Sequence, residues 1–128
     1  MMRKHANDEA ITVLLDAHAA ERGGRVVVEQ VDGHWRAGFL IPDDLGESVI
    51  ALSGSGPDPQ AARRQLLIRT AEALERSASL AMQHAERLER AGRNDDAGRE
   101  RRAAKHARQA AERARLYAEG KPEQAGRK

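Results

Sequence analysis

The dipeptide Asp32-Gly33 constrains this chain more than any other feature. It separates two runs rich in β-branched and aromatic residues, Arg25-Val26-Val27-Val28-Glu29-Gln30-Val31 and His34-Trp35-Arg36-Ala37-Gly38-Phe39-Leu40-Ile41. Asp-Gly between such runs is a strong hairpin signal, because a two-residue type I′ turn requires positive φ at both central positions. That turn dictates a register with Val31 opposite His34, Gln30 opposite Trp35, Glu29 opposite Arg36, Val28 opposite Ala37 and Val26 opposite Phe39. Side chains alternate across a strand, so Val26, Val28, Trp35, Ala37, Phe39 and Ile41 share one face, and Glu29 and Arg36 form an opposite-charge pair on the other. Pro42-Asp43-Asp44-Leu45-Gly46 reads as the next turn, since Pro cannot continue the ladder. A third strand follows over Glu47-Ser48-Val49-Ile50-Ala51-Leu52, with Ile50 and Leu52 expected to join the Trp35/Phe39 face.

The same register loads the opposite face with Val27, Val31, Leu40 and Val49 beside Arg25, His34 and Arg36. A freely solvated face of an antiparallel sheet is more polar than this, so something is expected to cover part of it. A second subunit and the chain's own C-terminal helix are both candidates. Val27, Leu40 and Val49 are therefore the candidate protein-binding residues.

Helices flank the sheet. Residues 7–22 read as an amphipathic helix capped by Asn7 or Asp8 and stopped by Gly23-Gly24, with Ile11, Leu14, Leu15 and His18 on one face. Ser53-Gly54-Ser55-Gly56-Pro57 reads as a flexible joint, and Asp58-Pro59 starts a helix with Asp at the cap and Pro at the first position. From Pro59 to about Ala91, Leu67, Ala71, Leu74, Ala78, Ala81, Ala85 and Leu88 recur as a heptad seam. After a break at Gly92 to Asp96, a last helix over about 97–119 repeats the alternation with Ala103, Ala107, Ala110, Ala114 and Tyr117. The short break predicts an antiparallel helical hairpin. The expected fold is α+β: a three-stranded antiparallel sheet packed by two helices (α-β-β-β-α, residues 7–76), followed by a C-terminal helix forming a helical hairpin (77–119) and a flexible tail (120–128).

Composition narrows the chemistry. The 128 residues include no Cys, which excludes a disulfide framework, a thiolate nucleophile and every Cys-containing zinc site. His84-Ala85-Glu86 matches half of a zinc-deaminase signature whose other half needs Cys, and the five histidines share no metal-ligand spacing. Ser53 and Ser55 lack a nucleophile elbow, and Asp43 and Asp44 read as turn residues that cap and solubilise. No catalytic residue, metal, cofactor or small-molecule substrate is expected, and the reading is not that of an enzyme. No apolar run is long enough to span a bilayer, and Asn7-Asp8-Glu9 stands where a signal peptide needs its apolar segment, so a cytoplasmic protein is expected.

Charge is uneven, with a net −4 over residues 1–57 and +6 over 97–128. On the last helix Arg101, Lys105, Arg108 and Arg115 share a narrow sector, interrupted by Glu112, opposite the Ala103/Ala107/Ala110/Ala114 seam. At roughly 1.5 Å per residue the stripe is about 20 Å long and suits a line of phosphates. These four residues are the candidates for nucleic-acid binding.

The order helix, three strands, helix over residues 7–76 resembles the double-stranded-RNA-binding fold. Gly54-Ser55-Gly56, Ala62-Arg63 and Ala71-Glu72-Ala73-Leu74 are similar to that family's Gly-x-Gly, Ala-Lys and Ala-rich second helix, although Pro59 and Gln60 occupy the places of its phosphate-binding lysines. Trp35-Arg36-Ala37-Gly38-Phe39 through Pro42-Asp43-Asp44-Leu45-Gly46, then Pro59 to Leu67, looks equally like the HicB-type antitoxin core. That resemblance implies a regulatory protein that sequesters a small toxin, dimerises and usually adds a separate DNA-binding segment. Together these readings give a non-catalytic protein-binding module, expected to act as a homodimer through its sheet face and helical hairpin. The alternative is nucleic-acid binding through the basic face of the last helix.

Overall fold

In the computed structural model, which describes residues 2–121, Asp32 and Gly33 take φ values of 48° and 84°. Asp is among the few residues with a side chain that tolerates this region. The register is the one the turn dictates, from Val31 opposite His34 to Val26 opposite Phe39. Strands β1 (Arg25–Val31), β2 (His34–Pro42) and β3 (Ser48–Gly56) form one antiparallel sheet in the order β1-β2-β3. Helix α1 (Met2–Glu21) precedes the sheet, and α2 (Pro59–Arg90) and α3 (Asn94–Ala118) follow it. The architecture is thus mixed α+β, with α2 and α3 packed as a helical hairpin. The expected tail at 120–128 lies outside the described residues from Pro122 onward.

All the helices stand on one side of the sheet. Ala37 and Phe39, with Val26, Val28, Trp35, Ile41 and Leu52 around them, pack on Ile11, Leu15 and Ala19 of α1, on Ala62, Leu66, Leu67 and Ala71 of α2, and on Ala111, Ala114 and Ala118 of α3. Phe39, Ile11, Leu15 and Leu66 are the largest fully buried side chains, each contributing about 1.5–3 kcal/mol by leaving water.

Helix α1 begins five residues earlier than its capping residues suggest. Nothing in Met2 to Ala6 breaks a helix, so Asn7 becomes an interior residue, only 8% exposed. The Asp8 carbonyl accepts from Thr12 Oγ1 and from Gln60 Nε2 at 3.1 and 3.2 Å, and its carboxylate lies 3.6 Å from Arg64. Asp8 therefore ties α1 to α2 instead of capping. At the far end the Gly24 N–H reaches the Ala19 carbonyl and the Gly23 N–H that of Ala20, the double closure expected of a glycine stop. Asp58 caps α2 as expected, accepting from the Ala61 N–H at 2.8 Å.

The supposed Gly/Ser joint is strand. β3 runs through Gly56, with Gly54 opposite Ala37 and Gly56 opposite Trp35 on the face that meets α2. A Cβ on Gly54 would lie 2.4 Å from the Leu66 nitrogen, and one on Gly56 would lie 2.6 Å from the Ala61 Cβ. The glycines are there so that the α2 backbone can come down onto the strand.

The hairpin seam also departs from expectation. On α2 the buried small residues along the seam are Ala71, Ala78 and Ala85, as the heptad predicts. On α3 they are Ala97, Ala104, Ala111, Ala114 and Ala118, and both Ala103 and Ala110 are exposed. The helix is turned by one residue from the expected seam. Two ion pairs accompany this seating: Arg101 meets Glu89 and Arg115 meets Glu75, and each pair is two heptads from the other on both helices. Arg101, Arg108 and Arg115 flank the interface, and the inward row Ala97, Ala104, Ala111 and Ala118 is alanine at every step, whereas the row through Ala103 and Ala110 would carry Asp96 inward.

Gly54→Ala should cost about 3 kcal/mol in urea unfolding, since the obstacle is main chain that cannot rotate aside. Ala111→Leu, which wedges α2 from α3, should cost about 1–3 kcal/mol while Ala110→Leu leaves stability within about 0.5 kcal/mol.

Candidate interaction surfaces

The sheet face turned away from the helices carries apolar side chains that the core leaves over. Val27, Leu40 and Val31 are half-buried on it, beside the Glu29–Arg36 ion pair. Its third-strand member is not the expected one. Pairing runs Gly38 with Ser53 and then Leu40 with Ile50, so β3 carries one extra residue against β2. Such a bulge shifts the alternation by one. Val49 accordingly lies opposite Ile41, on the helix side near the sheet end, and Ile50 lies opposite Leu40 on the outer face. The Ile50 Cγ2 sits 3.0 Å from where a Gly38 Cβ would be, so this side chain lies over the glycine. Ile50 is 40% and Val49 45% exposed. The outer apolar set is therefore Val27, Leu40 and Ile50, with Val49 removed from it. A single-residue bulge leaves no mark in the sequence pattern, because Val49-Ile50-Ala51-Leu52 is apolar in either phase.

The two sheet edges differ. On β3 the bulge breaks the ladder, α2 presses on Gly54 and Gly56, and the Ser55 N–H donates to the Gln65 side chain of α2. The edge of β1 has no bulge and no proline, and among the described residues no strand lies beside it.

A groove of about 530 Å³ runs between α1, α2 and α3, floored by Leu14, Leu15, Leu67 and Leu74 and rimmed by Glu21, Arg22 and Arg113. Three of its polar residues, Thr70, His18 and Arg22, are already engaged. The Thr70 hydroxyl donates to the Leu66 carbonyl at 2.8 Å, and the His18 ring accepts from Arg22 while lying against Phe39 with centroids 5.0 Å apart. Burial, and then the neighbouring Arg22 cation, lowers the His18 pKa below its ordinary 6.5, with Glu21 opposing. The imidazole is an edge-of-core group held neutral, an acceptor for Arg22.

The basic stripe of α3 is partly neutralised. Arg101 and Arg115 are bonded to Glu89 and Glu75 of α2, and the Arg101 hydrogen bond holds the Glu89 carboxyl below the usual range. Lys105 is exposed, and Arg108 lies between the two paired arginines beside Glu112. Arg101, Arg108 and Arg115 flank the hairpin seam instead of standing opposite it. Asp43 is a turn cap, its Oδ1 accepting from the Leu45 and Glu47 N–H groups at 2.9 Å each. Among the described residues no three His, Asp or Glu side chains gather as metal ligands, and no helix is long and apolar enough to cross a membrane. Comparison of the chain with protein-family models, with curated proteins and with solved structures gives no match.

A histidine whose folded pKa is lowered gives the unfolded state the greater proton uptake. Stability should be level above about pH 7.5, fall as pH drops through 6.5 toward the lowered folded value, and level again beneath it. Thermal melts should show His18→Gln removing this component and leaving the carboxylate-dependent loss at lower pH.

Proposed function

We propose that the chain is a non-catalytic protein-binding module that works as a homodimer. The observation that carries this reading is the one-sided layering of the fold: helices α1, α2 and α3 all pack on one face of the sheet, and Val27, Leu40 and Ile50 stand on the other. A three-stranded sheet with one bare apolar face gains about 25 cal/mol for each Å² that a partner removes from water. The α-β-β-β-α order implied by the HicB-type resemblance is present, and an antitoxin-like regulator is the biological role that goes with it by analogy of fold alone.

The helical hairpin takes a smaller part in this than the sequence suggests. Its small-residue seam is consumed between α2 and α3, so partner contact falls to the sheet. Nucleic-acid binding through Arg101, Lys105, Arg108 and Arg115 is the weaker reading, since two of the four cations already face carboxylates. A protein meeting phosphates through only Lys105 and Arg108 would lose affinity with salt at a slope of about −2 or less on double-stranded nucleic acid.

Light scattering across a wide concentration range should report a dimer. A strict monomer at every concentration would remove the reading.

A further inference from the structure

We infer that two copies of this chain join edge to edge through β1, in antiparallel register about Val27, to make one continuous six-stranded sheet. The inference rests on the self-association proposed above and specifies its geometry.

An unprotected edge strand presents a row of unpaired N–H and C=O groups, which folded proteins blunt with bulges, prolines, charges or cover. Among the described residues only the β3 edge is blunted by a bulge and by a packed helix. β3 carries the bulge, the pressure of α2 on Gly54 and Gly56, and the Ser55 N–H bonded to Gln65. β1 is seven residues long, regular throughout and mostly valine. The pair that closes a two-residue hairpin exchanges both of its backbone bonds, and the pattern alternates from there. Val31, Glu29, Val27 and Arg25 therefore direct their backbone groups toward β2, while Val26, Val28 and Gln30 direct theirs outward. No turn, loop or cap bond among the described residues engages those three.

The sequence of β1 specifies its own complement. Reversed upon itself about Val27, it sets Arg25 opposite Glu29 of the second copy, Val26 opposite Val28, and Val27 opposite Val27. The Val26–Val28 pairs are the ones whose groups point outward, so they exchange hydrogen bonds, and Val27 meets its counterpart in the close, non-bonded pair. Arg25 and Glu29 are both exposed and on the outer face, where their opposite charges meet twice by symmetry. Shifting the axis to Val28 would set Arg25 against Val31 and Val26 against Gln30, losing both charge pairs. Both axes satisfy the parity of the outward groups, and charge selects the one at Val27. The outer faces then fuse: Val27 of each copy lies on the axis, Gly38 lies beside it with Ile50 over it, and Leu40 lies opposite Arg25. The apolar surface that one copy shows becomes a doubled surface.

The test is a charge swap. Arg25→Glu alone and Glu29→Arg alone each place like charges across the axis twice, and should weaken the dimer about tenfold or more. An equimolar mixture of the two variants restores both opposite-charge pairs and should form a heterodimer as tight as the unmodified dimer. The chain has no cysteine, so Val27→Cys should crosslink two copies on mild oxidation, a non-bonded pair having Cα atoms about 4.5 Å apart. Val31→Cys, distant from its own copy in this register, should not crosslink. If the unmodified chain dimerises while both charge variants dimerise equally well and Val27→Cys stays uncrosslinked, the edge geometry is wrong and the dimer uses another surface. If the unmodified chain is monomeric at high micromolar concentration, the self-association itself is wrong.

Discussion

The close approach of α2 to β3 is the contact on which the remaining structure depends. Gly54 and Gly56 carry no side chain where the strand passes Leu66 and Ala61, so main chain meets main chain and α2 lies tight on the sheet. That position places Leu66, Leu67 and Ala71 over Ala37 and Phe39, and it places the N-terminal turns of α2 where Gln60 and Arg64 reach Asp8 of α1. From the same helix the alanine seam continues outward and receives α3. One long helix is the beam to which the sheet, α1 and α3 are each attached. Because every attachment is on the same side, no described residue outside the sheet packs on its far face.

What could be read in the chain depended on whether a local rule had a competitor. The β1–β2 register was legible because a two-residue turn with positive φ at Asp32 and Gly33 permits only one pairing. The start of α2 was legible because Asp58 and Pro59 agree. The seam of α3 was not, since an alanine-rich helix offers overlapping heptads: Ala103, Ala107, Ala110 and Ala114 compete with Ala104, Ala107, Ala111 and Ala114. The choice is made in the packed hairpin, where Ala104 and Ala111 face α2 and Arg101 and Arg115 meet Glu89 and Glu75 beside them.

The candidate surface was legible in the same uneven way. Val27 and Leu40 follow from the hairpin, whereas Val49 gave place to Ile50 because a bulge is decided by packing between strands and not by the alternation of any one of them. The Ser-Gly-Ser-Gly stretch has the composition of a linker, and only the three-dimensional demand of a helix backbone nearby turns it into strand. In each case the missing information was a contact between residues distant in the chain.

The two alanine helices have one more consequence. Near the sheet, Ala111, Ala114 and Ala118 belong to the main core, but toward the Gly92 bend only Ala85, Leu88 and Ala97 close upon one another. Methyl groups remove little area from water, so cohesion diminishes toward the bend. The hairpin therefore behaves as a zip fastened at its base, able to part from the tip in successive turns while the body beneath stays whole.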